Sequence, residues 1–446
     1  MAAPHESRGS RPANDWNPYS FFIHDPFLED IQHESLYSYQ PGGYHPVAID
    51  DEFHGGRYII RHKLGWGGFS TVWFALDIPE QCIKTANYSI LMPDNDPEVR
   101  VVCYLEQRFA SSQLEKPRFF APVLDTFRHE GPNGTHNCIV TDFVGPSIEK
   151  VLETYNDHGL TLRPDTILRA AQQLLDAVAF AHQLGIAHGD ISYTNVAFTC
   201  KADAECDEDL LDAMGSEPAT IESKDEKGER PPNVPKQMIE PAGWPMRVQS
   251  LPQPLNLRAP ESFFVDGFGY RQDLWRAGCV ICAIFYQDKL CKSLGAATLF
   301  VRELISKLGP LPASWQARWE SMLSADTRPE AAAEAPITET FELRRQQIIS
   351  SCLNDKQNMY EQDEHTDHDF EALACLKHLM LCVLQYEPDK RVTAAEAASW
   401  IRQAWTDYRR EEWERERDRE SDEAGEDNDD EGQGSPAASA DIAEQA

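Results

Sequence analysis

The chain has 446 residues, of which 41% are hydrophobic, and a formal net charge of -33 at pH 7. That length predicts about two or three domains, with enough apolar material for real cores. The acidity argues against direct nucleic-acid binding, which needs clustered Lys and Arg on phosphates, and it suits a basic protein partner. Much of it sits in 407–446 and 199–250. No apolar run approaches the ~18 residues that span a bilayer, and Met1-Ala2-Ala3-Pro4-His5-Glu6 reads as no secretory signal. The eleven cysteines, an odd number, are expected to be scattered without Cys-x-x-Cys spacing, as reduced, mostly buried thiols rather than a disulfide frame or a zinc site.

Residues 1–36 are polar with aromatic islands at Trp16 and Phe21-Phe22, and read as a partly ordered arm. A turn at Tyr39-Gln40-Pro41-Gly42-Gly43-Tyr44-His45-Pro46-Val47 leads to the strand pattern Gly56-Arg57-Tyr58-Ile59-Ile60. Lys63-Leu64-Gly65-Trp66-Gly67-Gly68-Phe69-Ser70-Thr71-Val72-Trp73 follows. Its glycines allow backbone N–H groups to approach a phosphate with no Cβ in the way. The stretch resembles the protein-kinase glycine-rich loop, with Ser70 in the third glycine position. That likeness places Leu64, Gly65, Gly67 and Gly68 around the nucleotide, with Val72 over the adenine. Cys82-Ile83-Lys84 then sits where a kinase has its lysine strand, and Glu98 opens a helix fourteen residues on. By the same resemblance Lys84 and Glu98 pair and orient the α- and β-phosphates. A surface Lys and Glu with no such relation is the alternative. Cys138-Ile139-Val140-Thr141-Asp142-Phe143-Val144-Gly145 reads as a buried strand entering a linker. In a kinase this is the hinge: Thr141 is the gatekeeper, and Asp142 and Val144 offer backbone groups to the adenine edge.

From Pro164 to Leu184, Ile167, Ala171, Leu174, Val178 and Ala181 recur at helical spacing, and Pro164 suits a first turn. This helix delivers His188-Gly189-Asp190-Ile191-Ser192-Tyr193-Thr194-Asn195. The octapeptide resembles the kinase catalytic loop, in which the Asp accepts the proton of the attacking hydroxyl and the Asn holds magnesium. Asp190 is thus the candidate base and Asn195 the candidate metal ligand. Residues 199–240 are acidic, with Pro, Gly and Ser, and read as a flexible insert. Leu255-Asn256-Leu257-Arg258-Ala259-Pro260-Glu261 and Asp273-Leu274-Trp275-Arg276-Ala277-Gly278 resemble the Ala-Pro-Glu motif and the Asp-x-Trp-x-x-Gly helix start of kinases. Their implied roles are structural: Asp273 braces the catalytic-loop backbone, and Glu261 pairs with Arg391. Helices are expected over 298–307 and 370–385, with a loop at 325–340. The last helix carries Ile401, Trp405 and Tyr408 on one face, and continues as a Glu–Arg-paired extension. Beyond Ser421 the acidic tail is expected to be disordered.

The motif set resembles the SR-protein kinase family, fungal type. The residues that carry this are Tyr44-His45-Pro46-Val47, Gly65-Trp66-Gly67 with Phe69-Ser70-Thr71-Val72-Trp73, Leu257-Arg258-Ala259-Pro260-Glu261, and Leu308-Gly309-Pro310-Leu311-Pro312 before Trp315. The likeness covers about residues 37–405. It implies an α+β, bilobal protein-kinase fold: a small antiparallel β-sheet lobe with one main helix (37–146) and a larger helical lobe (147–406), flanked by the arm and an acidic tail from 407. It implies a monomeric serine/threonine kinase that uses ATP and magnesium on Arg/Ser-rich proteins in cytoplasm and nucleus, away from membranes. Three departures stand out. Gly189 replaces the usual Arg, Ser192 replaces the Lys that steadies the γ-phosphate, and no Asp-Phe-Gly or close variant lies between Asn195 and Ala259. The alternative reading is therefore a pseudokinase that binds nucleotide or partners without efficient transfer. Small-molecule phosphotransferases share a His-Gly-Asp loop, but the Ala259-Pro260-Glu261 platform argues against that class.

Overall fold

The computed structural model describes residues 33–68, 70–79, 82–89, 97–112, 118–199, 218–223, 230–241, 257–265, 269–292, 296–325, 335–356, 371–404 and 406–407; the side chains of 82–89, 97–98, 199 and 353–356 lie outside that description. Expectations for Trp16, Phe21-Phe22, Phe69, Trp405, Tyr408 and the 408–446 tail also lie outside the described residues.

The strand-rich pattern after Gly56 becomes one antiparallel sheet. Its strands are β1 (Glu52–Phe53), β2 (Tyr58–Trp66), β3 (Ser70–Asp77), β4 (Cys82–Ser89), β5 (Val123–Gly131) and β6 (Gly134–Asp142), in the order β1-β2-β3-β4-β6-β5. β-Branched and aromatic residues fill β2 and β3, as a pleated, buried surface favours. The β5–β6 hairpin closes through Gly134, whose φ of +124° a side-chain-bearing residue would resist. One face of the sheet packs Val47, Phe53, Tyr58, Ile60, Trp73, Ala75, Cys138 and Val140 into a core. The single long helix before β5, α1 (Pro97–Ser111), packs beside β5 and edges Phe109 onto Phe120.

β7 (Val144–Ser147) leaves this lobe and pairs with β8 (Ala197–Thr199). The Ser147 hydroxyl accepts from the Lys150 N–H at 3.4 Å and caps α2 (Ile148–Asp157), so the linker passes directly into the helical lobe. α3 (Pro164–Gln183) begins on Pro164 as its sequence suggests. It packs against the helix Gln272–Tyr286, which is buried from Asp273 through Phe285. Fully burying large side chains such as Trp275 and Phe285 stabilises by roughly 1.5–3 kcal/mol each. Gly278 lets that helix approach its neighbour: a Cβ there would lie 2.8 Å from Val383 and 2.9 Å from Leu384. A small antiparallel sheet lobe with one main helix thus joins a larger helical lobe, which is the bilobal α+β kinase fold.

Three expectations change. Part of the 199–240 stretch is not a flexible insert: β9 (Thr220–Glu222) and β10 (Gln237–Ile239) pair antiparallel and place Ile239 in the small-lobe core. Composition pointed to a solvated loop because the few apolar residues are interrupted by charge, yet Ile221, Met238 and Ile239 are all buried. The 325–340 loop ends early, since Ile337–Lys356 is a helix that buries Ile337, Phe341 and Ile348. Finally, the cysteines do include one Cys-x-x-Cys pair, Cys279 and Cys282. Both are free thiols inside the buried 272–286 helix, so neither has the exposure that redox or metal chemistry requires.

The arm is anchored as well. Lys63 of β2 forms a fully buried ion pair with Glu34, which also accepts from the Tyr39 hydroxyl. Asn133, in the β5–β6 turn, donates to the Tyr44 carbonyl at 2.5 Å, and Asn233 beside β10 donates to the Tyr39 carbonyl at 3.3 Å. Arm, hairpin and ribbon therefore form one polar-stitched layer over the outer face of the sheet.

Candidate active site

The loop after α3 is held from below. Asp273, at the start of the 272–286 helix, accepts the His188 and Gly189 backbone N–H groups, both at 2.8 Å, and lies 3.0 Å from His182 Nε2. Burial raises the Asp273 carboxyl pKa, but the hydrogen bonds from His182, Gly189 and His188 outweigh it and hold the group below the usual carboxylate range. Gly189 takes φ +75°, a left-handed turn that glycine adopts without strain. Burial lowers the His188 imidazole pKa. Ile191 and Tyr193 anchor the loop in the core.

Between those anchors one carboxylate points outward. Asp190 has 58% of its side chain exposed. Asn195 Nδ2 donates to its backbone carbonyl at 2.8 Å and to its Oδ2 at 3.0 Å. That orientation turns the Asn195 amide oxygen away from Asp190, so one hard oxygen ligand for a cation sits beside the carboxylate. Ser192 is buried, and its hydroxyl accepts the Asn195 N–H at 3.2 Å. The structure thus brings Asp190 and Asn195 together in one cluster, with Asp273 behind them.

On the small-lobe side, Gly65 pairs across from Val72, and the Gly67 N–H donates to the Ser70 carbonyl at 2.7 Å to close the glycine-rich hairpin. The Tyr44 hydroxyl donates to the Gly67 carbonyl, tying that hairpin to the 39–47 turn. Leu64 and Val72 are buried. Thr141 is the penultimate residue of β6, its hydroxyl donating to the Asp142 carbonyl at 3.1 Å, and Val144 begins β7. Phe143, between them, stands edge-on to Phe74 at 5.4 Å.

Across the sheet Val72 pairs with Asn87, Phe74 with Thr85, and Lys84 with Ala75 and Asp142. The side chains of Lys84 and Glu98 lie outside the described residues. Among described residues α1 does present Glu106, which pairs with Arg118 and accepts the Val123 N–H at 2.7 Å; its role is to pin the chain entering β5.

The platform is as the motifs imply. Arg391 Nη1 and Nη2 reach Glu261 Oε1 and Oε2 at 2.8 and 2.6 Å in a buried, forked pair. Arg391 also donates to the Gln385, Arg271 and Tyr386 carbonyls and stacks over Trp275 at 5.2 Å. Among the described residues no cluster of three His, Cys, Asp or Glu could hold a metal, and no helix is long and apolar enough to cross a membrane. Among the described residues, the Asn195 oxygen is the candidate ligand for a metal ion at this site.

Fold and site together define a protein kinase fold, with catalytic loop, hinge, glycine-rich hairpin and platform in order. Within that class the chain is similar to SR-protein kinases. It is 33% identical over 178 residues to protein kinase dsk1 of Schizosaccharomyces pombe, covering 38% of this chain and 32% of that protein. It is 32% identical over 184 residues to SRSF protein kinase 3 of Homo sapiens, covering 40% and 31%. The serine/threonine-protein kinase SRPK of Physarum polycephalum matches over 412 residues at 23% identity, 83% of this chain and 91% of that protein. The chain thus spans about a third or less of the length of the first relatives it matches. No family model matches it.

Proposed function

We propose that the chain is a serine/threonine protein kinase of the SR-protein kinase type, transferring the γ-phosphate of ATP to hydroxyls of basic, Arg/Ser-rich proteins. The observation that carries this is the exposed Asp190 carboxylate, held by Asn195 on a loop whose backbone Asp273 clamps. The nucleotide lies under Gly65, Gly67 and Gly68, with Leu64 and Val72 against the adenine, Thr141 behind it, and the Asp142 and Val144 backbone at its edge. Asp190 receives the proton as the substrate oxygen bonds to the γ-phosphorus and the bond to the ADP oxygen breaks. Magnesium, when bound, neutralises phosphate charge, and Asn195 is the residue here that would hold it. In this reading Lys84 and Glu98 pair and orient the α- and β-phosphates. The protein acts as a monomer in cytoplasm and nucleus, without binding nucleic acid or membrane directly.

A second reading, a pseudokinase that binds nucleotide or partners without efficient transfer, is favoured by the missing Asp-Phe-Gly and by Ser192. Transfer of radiolabelled phosphate to an Arg/Ser peptide separates the two. Asp190→Ala is expected to slow turnover on the order of 100- to 10,000-fold. Equal incorporation by wild type and variant overturns the kinase assignment. ATP-dependent thermal stabilisation with no measurable transfer by wild type supports the second reading.

A further inference from the structure

The catalytic loop contains no cation of its own. Gly189 and Ser192 are uncharged, and burial keeps His188 on the neutral side of its ordinary range. A positive charge nevertheless reaches the loop, from beneath. Arg276 lies on the 272–286 helix and is 1% exposed, in a segment otherwise apolar from Leu274 through Phe285. Its Nη1 is 3.2 Å from Asp190 Oδ1 and 3.3 Å from the Ile191 carbonyl. Asp273, one turn earlier on the same helix, is already engaged by His182 and by the His188 and Gly189 N–H groups. Among the described residues Asp190 is therefore the carboxylate that balances Arg276. A guanidinium buried to this degree demands a partner, since an unpaired buried charge is strongly destabilising.

We propose that Arg276 is the positioning residue of this site: it fixes the Asp190 carboxylate from below. The inference rests on the kinase reading. A carboxylate at a loop tip rotates freely when solvent is its only partner. Here Oδ1 accepts from Arg276 and Oδ2 from Asn195, so two donors on different elements set its plane. Each oxygen keeps a lone pair for a substrate hydroxyl. Among the described residues Arg276 Nε has no hydrogen-bond partner. That cost in a buried helix is unexplained by packing alone, and a Met or Leu of similar volume would avoid it.

The experiment uses the full chain and two readouts. In steady-state transfer from ATP to an Arg/Ser peptide, Arg276→Met is expected to lower kcat on the order of 10- to 100-fold, with KM for ATP within about twofold of wild type. Arg276→Lys, which keeps the charge, should recover part of that loss. In thermal unfolding, Asp190→Asn should lower Tm by leaving Arg276 unpaired, and adding Arg276→Met should raise it again. If Arg276→Met lowers Tm equally in wild type and in the Asp190→Asn variant, the two side chains are not coupled and the proposal is overturned. A well-folded Arg276→Met protein with unchanged kcat would overturn it too. If wild type transfers no phosphate, the kinase reading fails, while the coupled melting still reports whether Arg276 holds Asp190.

Discussion

At the scale of single residues, this chain relies on a few charges buried in pairs. Glu261 and Arg391 are both nearly inaccessible and share two parallel hydrogen bonds. Glu261→Gln keeps the shape and removes the charge, stranding a guanidinium in the core. The expected cost is about 3–5 kcal/mol, measured by urea unfolding, because breaking a buried pair costs more than the pair contributes. A loss under about 1 kcal/mol would mean that the three carbonyls on Arg391 suffice. Both partners were legible in the sequence because Ala-Pro-Glu and the later Arg stand in a recognisable order. Asp190, Asn195 and Asp273 were legible for the same reason. Arg276 was not, although it stands inside the Asp-x-Trp-x-x-Gly match. A motif says nothing at its variable positions, and only the helix's approach to the loop gives this one a target.

At the scale of elements, the most informative feature is the layer over the outer face of the small-lobe sheet. The 39–47 turn contributes His45, which meets His129 of β5 at 4.6 Å and His136 of β6 at 5.3 Å between ring centres. The turn lies so close that a Cβ on Gly131 would fall 2.3 Å from the His45 ring. Burial, then the neighbouring His129 and His136, push the His45 pKa down to about 3. Burial, then the neighbouring His136, also lower the His129 pKa, against the opposing charge of Asp51. A histidine kept neutral when folded binds no proton until well below its unfolded value of about 6.5. Its contribution is complete above that pH and is lost as pH falls toward 3, by up to ~1.4 kcal/mol per pH unit per group. Tm should therefore drop between about pH 7 and pH 5, and His45→Phe should flatten the drop. An identical pH profile in the variant would remove this cluster from the account. The ribbon of β9 and β10 belongs to the same layer, and composition concealed it. A short amphipathic hairpin within an acidic stretch averages to a solvated loop, although Ile221, Met238 and Ile239 suffice to dock it.

At the scale of the whole molecule, the net charge of -33 gives a long-range field without creating a fold. If the substrate is basic, encounter is steered. kcat/KM for an Arg-rich peptide should then fall several-fold between about 50 and 300 mM salt as the Debye length shortens. Turnover at saturating peptide should change much less. A kcat/KM insensitive to salt would locate recognition in short-range contacts instead.

What the sequence determined by itself was the order of parts: glycine-rich hairpin, hinge strand, a long helix delivering the loop, and a platform. These are local patterns of period, turn chemistry and spacing. They survive in one dimension because each role demands particular residue types at fixed separations. What the tertiary structure decided was which side of a strand or helix each residue faces. Arg276 meets Asp190, and Ile239 meets Trp73 in one core, only because distant segments pack together. Those contacts arise from three-dimensional packing, which no spacing along the chain encodes.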